Sequence, residues 1–172
     1  MTADRSIPPR RRPATRAEAR ALAHPLRLRI LRLCLDEALT NRELAERLGE
    51  DPATVLYHVR TLVRTGFLRR EAVRRGRRGA REFPYRATRK SWALTFEPDI
   101  AGNLAVIDAT RAELVESGAE SVLAETRMAV RVSPERLEAL GEQLKALIDE
   151  VDAADGTGDE SIGLLLVVHR RR

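Results

Sequence analysis

The chain has 172 residues, of which 43% are hydrophobic, 33% charged and only 3% aromatic, and its formal net charge is +5. This length allows one compact domain or two small ones and excludes a large barrel, and the aromatic-poor composition favours helices packed through Leu, Val, Ile and Ala. Residues 1–96 hold 23 basic and 10 acidic side chains, whereas residues 97–172 hold 8 and 16. A basic half therefore precedes an acidic half, and this split suggests that the basic part binds a polyanion, although an overall abundance of arginine is the alternative explanation.

The first segment, residues 1–14, is predicted to be a disordered basic arm. Pro8, Pro9 and Pro13 surround three consecutive arginines, and proline removes backbone donors and blocks helix formation. Good helix formers follow from Thr15, and a second helix is expected to begin at His24-Pro25 because proline is tolerated at a first helical position.

The next segment predicts a helix-turn-helix. Thr40-Asn41-Arg42-Glu43 fits a capping box, and Gly49 is placed to end the short helix that follows. Asp51-Pro52 then offers an N-cap and a first-turn proline for a second helix that runs to about Thr65. Two short helices joined by a tight glycine-containing turn are what this motif requires.

A helical wheel of the second helix separates a core face from an outward face. Val55, Val59 and Leu62 fall together on the core side. His58 lies near the edge of that side, where a structural role is favoured over a catalytic or ligating one. The outward face and its flanks combine guanidinium, hydroxyl and small apolar groups, which suit base edges and phosphates. The candidate DNA contacts on this helix are Ala53, Thr54, Leu56, Tyr57, Arg60, Thr61 and Arg64.

A hairpin with a basic tip is predicted after Gly66. Two short strands, residues 67–68 and 83–87, flank an arginine-rich stretch that contains Gly76 and Gly79. Seven arginines between residues 69 and 81 repel one another unless a polyanion compensates them. We expect phosphate or minor-groove contacts from Arg74, Arg75, Arg77, Arg78 and Arg81.

The remaining chain, residues 97–172, is predicted to form a dimerisation and effector-binding region. A helix is expected over about residues 98–117, followed by a strand at 128–132, a helix from Ser133-Pro134 to Val151, and a strand at 162–168. The apolar stripes of these helices favour a homodimer, since a two-fold partner is the usual way to bury them. The predicted fold class is thus mainly α with small β: a winged helix-turn-helix domain over residues 15–96, a dimerisation helix, and a strand-helix-strand tail.

Aromatic residues cluster where the two halves meet. Tyr85, Trp92 and Phe96 form a candidate pocket for a small-molecule effector, because effectors favour apolar concave sites at domain interfaces. The alternative is that they only pin one half on the other.

No metal or cofactor site is predicted. Cys34, His24, His58 and His169 are the few soft or borderline ligands, too few for a thiolate or imidazole site within one subunit. The single cysteine is expected to be a buried core residue and fits a reducing cytoplasm. The longest apolar run is far below the ~20 residues that span a bilayer, so we expect a cytoplasmic protein without a membrane partner.

Four fragments in order resemble the arsenic-repressor-like (ArsR) winged-helix regulators. They are Leu22-Ala-His-Pro-Leu-Arg-Leu-Arg-Ile-Leu, Arg42-Glu-Leu-Ala, Thr54-Val-Leu-Tyr-His-Val-Arg and Thr61-Leu-Val-Arg-Thr-Gly-Phe-Leu. The resemblance implies a homodimeric bacterial transcription factor that binds double-stranded DNA and is usually a repressor. Residues 52–65 would then be the recognition helix and residues 69–82 the wing. Metal-sensing members carry a cysteine pair before the recognition helix or Asp/His ligands on a later helix. Residues 40–48 contain neither Cys nor His, so metal sensing of that kind is not expected.

Two other classes of function compete with a DNA-binding regulator. A winged helix can also act as a module that binds RNA or a protein partner, with the C-terminal region as the interaction site. An enzyme is disfavoured, because the sequence lacks a nucleophile-base pairing, a Gly-rich phosphate loop and a metal-ligand cluster.

Overall fold

The computed structural model of the protein describes residues 11–76, 79–97, 99–158 and 160–170. Helices carry most of its regular structure, and the mainly helical class with small sheets is confirmed. The α-helices are α1 (Arg16–Leu22), α2 (Pro25–Asp36), α3 (Asn41–Leu48), α4 (Pro52–Arg64), α5 (Ile100–Ser117) and α6 (Pro134–Ala154). None of the described helices combines the length and apolar composition that crossing a membrane requires.

The strands are short and pair two by two. They are β1 (Arg12–Pro13) parallel to β6 (Leu94–Thr95), β2 (Leu68–Arg70) antiparallel to β5 (Tyr85–Ala87), and β3 (Arg74–Arg75) antiparallel to β4 (Arg81–Glu82). The β2–β5 pair occupies much of the predicted hairpin, and β3–β4 adds a second, more distal pair inside the stretch that the sequence assigns to a loop. Leu39 bonds Tyr85 through two backbone hydrogen bonds of 3.0 and 2.8 Å, which attach the segment before α3 to β5.

The core lies between α2, α3, α4 and the first hairpin strands. Its fully buried side chains are Ile30, Cys34, Leu39, Leu44, Val55, Val59, Leu62, Phe67 and Leu68. Aliphatic side chains dominate this set, as the composition predicts. Cys34 is one of them, and its burial raises the pKa of the thiol to about 12. A thiol held neutral in an apolar core acts as a packing group.

The chain divides into two compact units, residues 1–121 and residues 122–172. The first unit therefore includes α5, which the sequence analysis places beyond a boundary at residue 96. Ala105 and Ala109 of α5 are buried, and α5 also forms ion pairs with α2, between Glu116 and Arg29 and between Glu113 and Arg32. The small side chains of these two alanines allow the backbones of α2 and α5 to approach closely, and the two ion pairs provide further contacts between the same helices.

A short strand lies at the end of the arm that is predicted to be disordered over residues 1–14. Arg12 and Pro13 form β1, and the Arg12 guanidinium donates to both carboxylate oxygens of Glu18 at 2.9 and 2.7 Å. Glu18 also accepts from the Thr15 backbone N–H and pairs with Lys90 at 2.6 Å. These donors hold the pKa of Glu18 well below its usual range. Residues 1–10 of the predicted arm lie outside the described residues.

The second unit contains α6, whose N-cap Ser133 accepts from the Arg136 backbone N–H at 3.2 Å. The strands predicted at residues 128–132 and 162–168 are not formed, and both segments are exposed and without regular structure. A strand requires a partner for its backbone hydrogen bonds, and no described residue pairs with either segment. An alternating or apolar sequence pattern favours extended backbone, but it does not provide the neighbouring strand with which that backbone must form hydrogen bonds.

Candidate nucleic-acid interface

The turn between α3 and α4 fixes the orientation of the second helix. Thr40 and Glu43 form the predicted capping box, with hydrogen bonds of 2.7 and 3.2 Å. Gly49 ends α3 in the left-handed region at φ 64°, a conformation that side chains with a Cβ disfavour. Asn41 of α3 then donates to the Pro52 carbonyl at 2.9 Å, which ties the first helix of the pair to the beginning of the second.

The N-terminus of α4 is capped as predicted. Asp51 accepts from the backbone N–H groups of Ala53 and Thr54 at 2.8 and 3.2 Å, and Pro52 occupies the first helical position. The first turn is exposed and carries the positive end of the helix dipole, which favours phosphate contacts nearby.

The two faces of α4 separate as the wheel predicts. Val55, Val59 and Leu62 are fully buried. The opposite side is open to solvent, and Tyr57 keeps 66% of its surface accessible. Of the predicted contacts, five are exposed, Ala53, Thr54, Tyr57, Arg60 and Arg64, and two are half-buried, Leu56 and Thr61. Two arginines, a phenol and small groups therefore share one accessible surface, which we call the α4 outer face.

Beneath that face lies a buried group of cationic and aromatic side chains. His58 is 6% exposed, and its ring lies 4.4 Å from that of His24 and 5.2 Å from that of Tyr57, centroid to centroid. Arg27 donates to His58 Nδ1 at 3.4 Å and also donates to the backbone carbonyls of Arg20 and Ala21. Burial together with the neighbouring His24 and Arg27 lowers the pKa of His58 to about 4.

This arrangement makes His58 a neutral structural acceptor that positions α4 on α2. Burial and Arg27 likewise lower the pKa of His24, whose Nδ1 caps α2 by accepting from the Leu26 N–H at 3.2 Å. No role for Arg27 was predicted from the sequence. Arg27 lies between two core residues, Leu26 and Ile30, and this position could have indicated that it is buried. A buried charged side chain needs hydrogen-bonding partners, so a structural role could have been predicted for it.

One of the wing arginines predicted to contact DNA is instead held in ion pairs within the protein. Arg74 pairs with Glu82 at 3.0 Å and also with Glu43 of α3, so it fastens the wing to the helix-turn-helix. The two carboxylates raise the pKa of Arg74. Arg75 and Arg81 are exposed, with Arg81 6.0 Å from the Phe83 ring centroid. Arg77 and Arg78 lie outside the described residues.

Arg70 is a cation of the wing that the sequence analysis did not single out. Its guanidinium lies 4.6 Å from the centroid of the Phe83 ring, a distance typical of cation–π contacts. Phe83 itself is partly exposed, so the pair forms a stacked surface at the base of the wing.

The three predicted pocket residues do not line one cavity. Tyr85 is buried in the core and Phe96 is exposed, and neither is among the residues that line the cavity that Trp92 helps to form. That cavity has a volume of about 200 Å³ and lies among α2, α5 and the 3₁₀ turn Lys90–Ala93. Within the described residues, no group of three or more His, Cys, Asp or Glu side chains is arranged to hold a metal ion.

Comparison with known proteins identifies the domain. Residues 22–71 match the family model of a helix-turn-helix domain, and this span includes α2, α3 and α4. No curated protein matches the chain. Among solved structures, a mutant form of ZitR from Lactococcus lactis is similar at 22% identity over 73% of each chain, with a TM-score of 0.35. Rv0081 of M. tuberculosis is similar at 27% identity over 57% of this chain and 85% of that chain, with a TM-score of 0.33.

Both TM-scores are low, and we draw no functional conclusion from either structure. The helix-turn-helix match covers the elements that form the α4 outer face. The chain accordingly contains a helix-turn-helix domain, a type of domain that DNA-binding regulators use.

Proposed function

We propose that the chain is a homodimeric, ArsR-like bacterial repressor that controls transcription by occupying a specific operator. The observation that carries this proposal is the α4 outer face, where Tyr57, Arg60 and Arg64 are exposed together on the second helix of a helix-turn-helix. In such domains the second helix lies in the major groove, with its N-terminal residues against base edges. The cap at Asp51 and the core face of α4 leave this surface free for DNA.

The role that we propose for each DNA-facing residue follows from the chemistry of its side chain. Arg60 is placed to bind guanine O6 and N7 through two hydrogen bonds, and Ala53 and Thr54 offer methyl groups for contact with thymine. Tyr57 and Arg64 reach the adjacent backbone or bases from the same face. Arg75 and Arg81 of the wing contact phosphates or the minor groove and contribute affinity with little sequence information.

A mobility-shift titration tests the proposal directly. The full chain is titrated against the DNA upstream of its own gene, a scrambled duplex of equal length and a structured RNA, from low to moderate salt. We expect preferential, salt-sensitive binding to one upstream segment. Equal or stronger binding to the RNA would favour the alternative function, a winged-helix interaction module.

The wing contributes electrostatic affinity, and its effect has a distinct signature. Replacing both Arg75 and Arg81 with alanine is expected to weaken binding to operator and scrambled DNA alike. The slope of log K against log salt should fall by roughly 1 for each phosphate that the variant no longer neutralises. Fluorescence anisotropy at several salt concentrations measures both quantities. The matched control is Arg127→Ala with Arg131→Ala, which removes the same charge from the second unit. Weaker binding confined to the operator sequence would contradict this role.

The exposed apolar side of α5 supports the homodimer. Ala105 and Ala109 are buried, while Ile100, Leu104 and Ile107 recur at helical spacing among the exposed side chains. A two-fold copy is the usual way to bury such a stripe, and dimers of this class bind half-sites about 34 Å apart. The assignment of residues 15–96 to DNA binding and of 97–172 to dimerisation is part of this proposal.

Leu104→Glu tests the dimer. A charge placed in the apolar stripe is expected to shift the chain to monomer in sedimentation velocity experiments and to weaken operator binding at least tenfold, because a monomer occupies only one half-site. Ala101→Glu, also exposed on α5 but away from the stripe, serves as the control. A Leu104→Glu chain that still sediments as a dimer would exclude this face as the interface.

A further inference from the structure

The two ends of α4 are held in different ways. At its beginning, Asp51 caps the backbone N–H groups of the first turn, two and three residues along the chain. At its end, the carbonyl of the C-cap Thr65 accepts a hydrogen bond of 2.6 Å from Lys90 Nζ. Lys90 lies 25 residues later, in the 3₁₀ turn Lys90–Ala93. The last turn of the candidate recognition helix therefore depends on a side chain from a distant segment.

Lys90 suits the end of α4 for three physical reasons. A cation is favourable at a helix C-terminus, where the helix dipole is negative and the last carbonyls lack partners within the helix. Gly66 follows the C-cap at φ 75°, and a Cβ at that position would lie 3.3 Å from Lys90 Nζ, so the glycine leaves room for the ammonium group. The same nitrogen lies 5.3 Å from the centroid of the buried Phe67 ring, within the range of a cation–π contact.

The ammonium group of Lys90 is fixed from the other side by α1. It pairs with Glu18 Oε1 at 2.6 Å, and Glu18 is only 5% exposed. The Glu18 carboxylate is itself held by the Arg12 guanidinium and by the Thr15 backbone N–H. A buried carboxylate with this many donors has little freedom to move. Lys90 therefore connects a fixed group of α1 to the last turn of α4, and we call this Glu18–Lys90–Thr65 connection the α4 brace.

The segment after α4 has a separate attachment that does not involve Lys90. The Thr88 hydroxyl donates to the Gly66 carbonyl at 2.8 Å, and the Thr88 backbone N–H donates to the Phe67 carbonyl at 3.0 Å. Leu62 and Phe67 are fully buried in the core. Loss of the Lys90 ammonium group should therefore loosen the last turn of α4 without unfolding the domain.

We propose that Lys90 is a positioning residue for DNA recognition, which acts through the α4 brace by fixing the angle at which Arg64 leaves the α4 outer face. Arg64 is exposed and directly precedes the C-cap Thr65. Lys90 itself needs no contact with DNA. Binding groups must be held within about 0.5 Å of their productive geometry, so a looser last turn should reduce discrimination between sequences. This inference rests on the proposed function and assigns one of its determinants to a residue outside the helix-turn-helix.

Amide hydrogen exchange tests the α4 brace without DNA. The full chain is compared with Lys90→Met, which keeps the apolar stem and removes the ammonium group, and with Lys90→Arg, which retains a charged donor. The reporting amides follow the end of α4 and bond to carbonyls of its last turns; they are those of Thr65, Gly66 and Phe67. We expect their exchange to be faster by roughly fivefold or more in Lys90→Met, close to the parent in Lys90→Arg, and unchanged in α3.

Lys145→Met is the matched control, because it removes the only other lysine of the chain, an exposed residue of the second unit. It should leave the exchange of the same amides unchanged. Unchanged exchange at the end of α4 in Lys90→Met would overturn the proposal. Equally faster exchange throughout the first unit would also overturn it, because that result would assign Lys90 to general stability.

Operator binding tests the positioning role. Lys90→Met should reduce the discrimination between operator and scrambled duplex about three- to tenfold, an effect typical of a residue that acts on a binding site without touching the ligand. In an Arg64→Ala background this reduction should disappear. In a background with Arg75→Ala and Arg81→Ala it should persist, because the effects of independent sites are additive. Equal reductions in both backgrounds would contradict an action through Arg64.

The two measurements separate this inference from the proposed function. Faster exchange at the end of α4 with unchanged discrimination would overturn the role of Lys90 in recognition and leave the regulator intact. If the parent chain binds no DNA at all, the proposed function fails and the recognition role fails with it, whereas the exchange rates still decide whether Lys90 holds the end of α4.

Discussion

Replacing Arg60 with alanine is expected to reduce the discrimination between operator and scrambled duplex by about 1–3 kcal/mol, or roughly 5- to 150-fold. The guanidinium is exposed at the middle of the α4 outer face, where it can make two hydrogen bonds to one guanine. The substitution removes those bonds from the correct site and affects binding to scrambled DNA less. Competition mobility-shift assays with both duplexes measure the difference.

Tyr57→Ala should act in the same direction, because its ring projects from the same face and is anchored against His58. Arg136→Ala is the control, since it removes one exposed arginine from the second unit. If Arg60→Ala and Tyr57→Ala weaken all sequences equally, the α4 outer face does not read bases and the proposed division between helix and wing is wrong.

Acid should destabilise the first unit through His58. Its pKa is lowered to about 4 in the folded protein, whereas an unfolded histidine titrates near pH 6.5. Between these values the unfolded chain binds the additional proton, so stability is fully present above about pH 6.5 and is lost as the pH falls toward 4. A difference of about 2.5 pKa units corresponds to about 3 kcal/mol, which is the upper limit of the decrease expected from this residue. Urea unfolding at several pH values measures it.

His58→Gln should flatten that pH dependence, since a glutamine can still accept from Arg27 but does not titrate. The pKa of His24 is lowered as well, so some acid sensitivity should remain in the single variant and decrease further in a variant that also carries His24→Asn. An unchanged profile in His58→Gln would show that the buried histidine is not the titrating group.

The helix-turn-helix was predictable because its signals are local. The Thr40–Glu43 capping box, the Asp51-Pro52 start and the turn at Gly49 each lie within a few residues of the helix end that they define. The periodicity of α4 then assigns its buried and exposed faces without knowledge of the neighbouring helices. These features place the candidate interface from sequence alone.

Features that depend on distant partners were not predictable. In the sequence, Arg74 looks like one of several arginines in a basic loop, but in the structure it forms an ion pair with Glu43, which lies much earlier in the chain. The β1 strand has only two residues, too few for any periodic pattern, and its parallel partner begins at Leu94. The same limit applies to residues 128–132 and 162–168, where alternation and apolar content favour extended backbone but cannot identify a hydrogen-bonding partner.

The Arg12–Glu18–Lys90 connection has a practical consequence for how this protein is handled. Because Lys90 also reaches the end of α4, a purification tag or an early truncation that disturbs the first described residues can alter operator binding while sparing every DNA-facing side chain. Affinity handles and fluorophores are better joined to the carboxyl end, and a recombinant chain cut before Thr15 should be treated as a mutant of the regulator.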